Sequence, residues 1–163
     1  MRLLLGNPAT PTYAAVLKSA RAIAEKGNLS VLPIEARSAE EIENAFSQLL
    51  KEDAEALVVA GDAVFFNHRS EIAQFAIRNR LPSIFAQREY ALSGGLMSYG
   101  GNLSDFFRRA AVFVDKILRG ANPGDLPVEQ PTRFHLTINR KTADALGLTI
   151  PSQLYIFADE VIE

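Results

Sequence analysis

The sequence contains no cysteine. That excludes a disulfide framework, thiolate catalysis and cysteine-ligated metal sites. Histidine is scarce too, with only His68 and His135. They lie on different predicted elements, with no ligand-like spacing to each other or to a carboxylate cluster, so no metal site is expected. Basic residues show no excess: 17 Lys and Arg stand against 19 Asp and Glu, a net charge of −2. This balance does not favour nucleic acid or an anionic membrane as a partner. No apolar run approaches the ~20 residues that span a bilayer. The opening Met1-Arg2-Leu3-Leu4-Leu5 is stopped at once by Gly6-Asn7-Pro8, where a signal peptide would continue. It reads as a first strand, and the chain as written is expected to carry no export signal of its own. The catalytic patterns G-x-S-x-G, G-x-x-x-x-G-K-[ST] and G-x-G-x-x-G after the first strand are all missing. Neither a catalytic residue nor a cofactor is expected.

What is present suits one globular domain: 163 residues, 48% hydrophobic and 22% charged. Short apolar runs alternate with helical periodicity. Leu3–Leu5 is followed by a helix from Thr12 to about Lys26, ended by Gly27-Asn28. Strand Leu29–Ile34 leads to Ser38, which opens a second helix with Glu41 at capping-box spacing. Ala56–Ala60 is a continuous apolar run, as in a parallel strand buried on both faces. A helix over Asn67–Asn79 and a strand over Pro82–Phe85 follow. This succession predicts an α/β fold with a doubly wound, mostly parallel sheet. Beyond it, Gln87–Ser93 reads as a polar irregular loop and Leu96–Tyr99 as a strand. A long helix spans Leu103–Leu118, then come a strand at Phe134–Ile138 and a short helix at Lys141–Leu146. The predicted division is an α/β ligand-binding lobe over 1–100 and a crossover segment over 101–163 that completes the lobe or forms a dimer interface.

Ligands of open parallel sheets sit beyond the carboxyl ends of the strands. Strand one is followed by Asn7-Pro8-Ala9-Thr10-Pro11-Thr12, polar and leading into a helix N-terminus. This suits a carboxylate or another anion, or is a plain turn with a capping threonine. Asp62 follows the third strand; it can hold a ligand amino group, accept a phosphoryl group or cap the next helix. A phosphoacceptor would also need an acidic pair after strand one, where Gly6-Asn7-Pro8 stands. Of the adjacent rings Phe65 and Phe66, one must look away from the core. Gln87-Arg88-Glu89-Tyr90, after the fourth strand, offers a charged pair that binds ligand or stays solvated.

Several longer stretches carry a resemblance. They are Leu81-Pro82-Ser83-Ile84-Phe85, Gly94-Gly95-Leu96-Met97-Ser98-Tyr99-Gly100, and the helix Arg108 to Gly120. Asp125-Leu126-Pro127-Val128-Glu129-Gln130-Pro131, Lys141 to Pro151 and the closing Ala158-Asp159-Glu160-Val161-Ile162-Glu163 add to it. Together they resemble the later half of substrate-binding components of ABC transporters, of the tryptophan- and aromatic-amino-acid-binding kind with a type I periplasmic-binding fold. The resemblance implies a flavodoxin-like lobe, periplasmic or membrane-anchored outside the cytoplasm. It also implies an ABC permease as partner and an amino-acid-like ligand bound without turnover. By position, Asn7, Thr10, Thr12, Asp62, Gln87 and Arg88 would line this lobe's side of a cleft, with Tyr99 at the hinge. The helix N-terminus would take the ligand carboxylate, Asp62 the amine, and Phe65 or Tyr99 would stack. On this reading Asp62→Asn keeps a capping oxygen and should barely change stability. Such proteins are about twice this long, and the helix Leu103–Leu118 corresponds to a segment that packs on the other lobe. Its unpartnered apolar face therefore leads to an expected homodimer. The alternatives are a flavodoxin-like signalling or regulatory sensor and a non-functional orphan fragment.

Overall fold

Residues 2–163 are described by the structure, a computed structural model, with side chains from residue 4 onward. The first half is a run of βα units. β1 (Arg2–Gly6) leads to α1 (Tyr13–Lys26), β2 (Val31–Glu35) to α2 (Ala39–Lys51), and β3 (Ala56–Val59) to α3 (Ala63–Asn67) and α4 (Arg69–Arg78). β4 (Ser83–Phe85), α5 (Arg88–Leu92) and β5 (Met97–Gly100) follow. The second half comprises α6 (Leu103–Leu118), β6 (His135–Asn139), α7 (Arg140–Leu146), α8 (Ser152–Phe157) and β7 (Glu160–Ile162). The seven strands form one sheet in the order β2-β1-β3-β4-β5-β6-β7, with helices on both sides. Pairing is parallel from β2 through β5, β6 runs antiparallel to β5, and β7 is parallel to β6. The order 2-1-3-4-5 of the parallel part is the flavodoxin-like one, in agreement with the sequence.

Local chemistry sets the element ends. Ser38 accepts a hydrogen bond from the Glu41 amide at 3.4 Å, and the Glu41 carboxylate accepts from the Arg37 amide at 2.8 Å. This pair of bonds, with the carboxylate on the residue before the Ser38 N-cap rather than on Ser38 itself, starts α2, and Ile42, Ala45 and Leu49 on one face are buried. At the end of α1, Asn28 adopts the left-handed conformation with φ 51°, while Gly27 stays at φ −92°. The core lies between the β1–β3–β4 strands and α2–α4, with Leu5, Leu57, Phe65, Ile72 and Phe85 at its centre.

Two predicted elements differ. The helix expected over Asn67–Asn79 starts earlier and is split into α3 and α4 at His68, because Asp62 caps a first turn well before Asn67. The expected loop Gln87–Ser93 contains α5, in which Tyr90 and Ala91 are buried. Its polar residues mask the one apolar face, on which Tyr90 stacks against Phe85 with ring centroids 4.5 Å apart. α6 matches its predicted limits but contains no buried residue. It stands off the sheet, and the Arg109–Glu129 ion pair ties it to the returning segment. The chain re-enters the sheet at His135, directly opposite Gly100.

Candidate functional site

β1 and β3 are neighbours, so the residues after their carboxyl ends meet. Asp62 links the two. One carboxylate oxygen accepts the amides of Val64 and Phe65 at 2.8 and 3.3 Å, capping α3. The other accepts the Thr10 hydroxyl at 2.6 Å and the Asn7 side-chain amide at 3.1 Å. Asn7 is itself buried, and its carbonyl oxygen accepts the Ala9 amide at 2.9 Å. A rigid Asn7–Thr10–Asp62 cluster thus sits in front of α1. Thr12 occupies the N-cap position of α1 but makes no side-chain capping bond. The start of this 14-residue helix therefore lacks a cap from its own N-cap side chain, while the Thr10 carbonyl accepts the Tyr13 amide at 3.0 Å.

Four accepted hydrogen bonds correct the expectation for Asp62→Asn. An amide keeps one oxygen and turns an N–H₂ toward groups that are themselves donors, so the substitution is not neutral.

Phe65 is fully buried in the core and is not a stacking surface for a ligand. Successive helical residues point about 100° apart, and Phe66 takes the outer position. The Arg69 guanidinium lies 5.0 Å over the Phe66 ring, and Tyr90 meets that ring edge-on at 6.2 Å. Gln87 lies beside Gly61 at the ends of β3 and β4. Its carbonyl oxygen and the Tyr90 hydroxyl are buried without a hydrogen-bond partner among the described residues. Burial, then the negative charge of Asp62, pushes the Tyr90 phenol up from its ordinary value.

Arg88 and Tyr99 are drawn elsewhere. Arg88 forms a two-bond ion pair with Glu160 at the start of β7. It borders a polar groove of about 520 Å³ between the β5 end and the β6–β7 edge, shared with Asn102, His135 and Asp159. Tyr99 is exposed and stacks on Phe134 at 5.6 Å. The structure therefore gathers Asn7, Thr10 and Asp62, places Thr12 and Gln87 beside them, and separates Arg88 and Tyr99 into a second region. Sequence reasoning left open which of Phe65 and Phe66 faces outward, named Tyr90 without a role, and quoted the acidic pair Asp159-Glu160 only within the closing motif. Only the adjacency of two acids in the closing motif could have signalled the last. Among the described residues, no group of three or more His, Asp or Glu could hold a metal.

Hydrogen bonds from Arg88 hold the Glu160 carboxyl below its ordinary range. The Leu136 amide, then Arg133, does the same for Asp159. A depressed carboxylate adds stability that is complete above the unfolded value near pH 4 and is lost as pH falls through the folded value. The β6–β7 edge should therefore loosen first in acid. Amide protection of β7, corrected for intrinsic exchange, should fall below pH 4 ahead of β1–β4, and Glu160→Gln should remove the share of that pH dependence carried by the Arg88 pair, leaving the share of Asp159.

The fold is that of one α/β lobe with a polar cluster at the carboxyl ends of two neighbouring parallel strands. Residues 4–162 match the family described as ABC transporter substrate binding protein, and the chain belongs to that family. No match is found among curated proteins. Among solved structures, the chain is similar to a conserved domain protein from Vibrio cholerae O1 biovar El Tor, at TM-score 0.88 and 21% identity. That alignment covers 98% of this chain and 54% of the other. It is likewise similar to an ABC domain from Streptococcus pneumoniae solved in complex with L-Trp, at TM-score 0.88 and 24% identity, covering 99% and 56%. A third is a ligand-free, open substrate binding protein with adhesive properties from Clostridium difficile, at TM-score 0.69 and 20% identity, covering 99% and 54%. The chain thus spans a little over half the length of these proteins. No helix among the described residues is long and apolar enough to cross a membrane.

Proposed function

We propose that this chain is a solute-binding lobe that takes a small amino-acid-like ligand for an ABC importer and releases it unaltered. The observation that carries the reading is the Asn7–Thr10–Asp62 cluster, set at the carboxyl ends of β1 and β3 before the N-terminus of α1. The first turn of α1, with Thr12, would receive the ligand carboxylate. Asp62, fixed by its four bonds, would supply negative charge for the ammonium, and Gln87 would contact the ligand backbone. Phe66, with Tyr99 toward the hinge, takes the stacking role in place of Phe65. Arg88 would serve through its Glu160 pair at the rim. The family match and the neighbour solved with L-Trp support this ligand class. The proposed setting is outside the cytoplasm, with an ABC permease as partner and a second copy of the chain as the facing wall.

A thermal-shift screen of the amino acids tests the reading. The best ligand at 100 times its Kd should stabilise the chain by about 2.7 kcal/mol, and mass spectrometry should recover it unchanged. No shift with any amino acid at millimolar concentration, or recovery of an altered ligand, would overturn it.

A further inference from the structure

Among the described arginines, Arg69 alone is half-buried rather than exposed. Most of the others hold a carboxylate, whereas Arg69 holds none among the described residues. Its Nη1 donates to the Phe66 carbonyl at 3.0 Å, and its guanidinium lies 5.0 Å over the Phe66 ring. One of the five N–H donors of a guanidinium is thus used, and a fork already held against the ring is left open. Beside the same ring, the Tyr90 hydroxyl is buried without a hydrogen-bond partner among the described residues, in a side chain only 1% exposed. A phenol and a guanidinium are both donors, and a carboxylate is the acceptor that both lack. We infer that Arg69 and the Tyr90 hydroxyl together take a carboxylate of the ligand, one beyond its α-carboxylate, so that the solute is an acidic amino acid. This rests on the solute-binding reading above and names its ligand class.

The order of charge along the strand ends selects that class. In the reading above, the first turn of α1 answers the α-carboxylate and Asp62 the ammonium. Arg69 then adds a second positive point on the far side of Asp62. An acidic amino acid carries the complement of that order: carboxylate, ammonium, carboxylate. Asp62 and Phe66 are one turn apart, since the Phe66 amide donates to the Asp62 carbonyl at 2.9 Å, and Arg69 lies over the Phe66 ring. Burial, then Asp62, pushes the Tyr90 phenol up while Arg69 opposes them, so one hydroxyl stands within reach of both charges. The Gln87 side chain offers another buried orphan, but its carbonyl oxygen is an acceptor and suits the ammonium. A neutral side chain on the ligand would leave the guanidinium fork without a counter-charge in a partly desolvated place, and such a site discriminates against it. A purely structural role for Arg69, tying α3 to α4 through the Phe66 carbonyl, uses one N–H and leaves the buried phenol unexplained.

L-Glutamate with L-glutamine, and L-aspartate with L-asparagine, are pairs that differ in the charge of that one group. Calorimetric titration of the chain with all four reads the inference directly. In at least one pair the acid should bind about tenfold or more tightly than its amide. Arg69→Gln should bring the two affinities of that pair within about twofold while leaving the affinity for the amide unchanged. A merely structural arginine would weaken both alike. Arg69→Lys, a point charge without the fork, should keep part of the preference. Tyr90→Phe should lower the affinity for the acid severalfold with no loss of melting temperature, since the hydroxyl has no partner among the described residues. Equal affinities within both pairs, or binding of a neutral amino acid in place of all four, would overturn this assignment and leave the amino-acid reading standing. Loss of acid and amide binding together in a folded Arg69→Gln chain, or an undiminished preference in Tyr90→Phe, would refute it as well. No binding of any amino acid would overturn both readings.

Discussion

Replacing Asp62 by alanine should lower the stability of the chain by about 3 kcal/mol, combining a lost helix cap with donors left unpaired. At this chain length the melting temperature should fall by roughly 6–12 °C. The cost arises because one side chain closes two loops at once: it caps α3 and holds Thr10 and Asn7 after β1. Asp62→Asn should cost about half as much, on the order of 1–2 kcal/mol. Thr10 can turn its hydroxyl to accept from the new amide. Asn7 cannot, because its own carbonyl oxygen is committed to the Ala9 amide. Circular dichroism melts of the two variants check the ordering. A melt of Asp62→Ala within 2 °C of wild type would show that the four bonds are solvent-equivalent. Because Asp62→Asn is not neutral, weaker ligand binding by that variant measures charge only after correction for its stability.

Gly100→Ala should be at least as damaging, at about 3 kcal/mol, the upper range for overpacking. A Cβ built on Gly100 would stand 1.9 Å from the Ala86 carbonyl oxygen and 2.9 Å from its carbon. Both atoms are backbone, so no rotamer change relieves the clash; β5 and the chain after β4 must separate, at the point where Phe85 and Ser98 pair. The neighbouring Gly101 is a built-in control. Its Cβ would meet the Phe106 ring at 2.1 Å, but that ring is the far end of an exposed side chain on α6 and can swing away. Gly101→Ala should therefore stay within about 1 kcal/mol of wild type. Chemical denaturation of both variants decides the matter, and equal losses would contradict the assigned cause.

The parts of this fold that were readable from sequence are those in which local pattern and tertiary demand agree. Ala56–Val59 is apolar throughout because β3 lies inside the sheet between β1 and β4. α6 was bounded correctly at Leu103 and Leu118 because nothing in the tertiary structure competes with its periodicity. That Asn7, Thr10 and Asp62 come together was readable because a general rule of parallel sheets puts strand-end loops side by side, whatever their sequences. Choosing between Phe65 and Phe66 needed the phase of α3, which the cap at Asp62 fixes and composition does not. α5 was hidden because five residues offer too little periodicity, and its formation rests on Tyr90 packing against Phe85. The Arg88–Glu160 pair joins residues 72 positions apart, at the starts of α5 and β7, whose adjacency exists only once the sheet is assembled.

Gly100 and His135 face each other in the ladder of β5 and β6. Everything between them therefore leaves the sheet and returns at a single point, as the tip of an ordinary hairpin would, however long that tip has grown. Each doubling of such a tip adds only about 0.6 kcal/mol of closure entropy. Residues 101–134 could thus lengthen, shrink or be exchanged during evolution with no change in the register of any strand. The lobe and its projecting arm are then separable units of inheritance, joined through two adjacent backbone crossings.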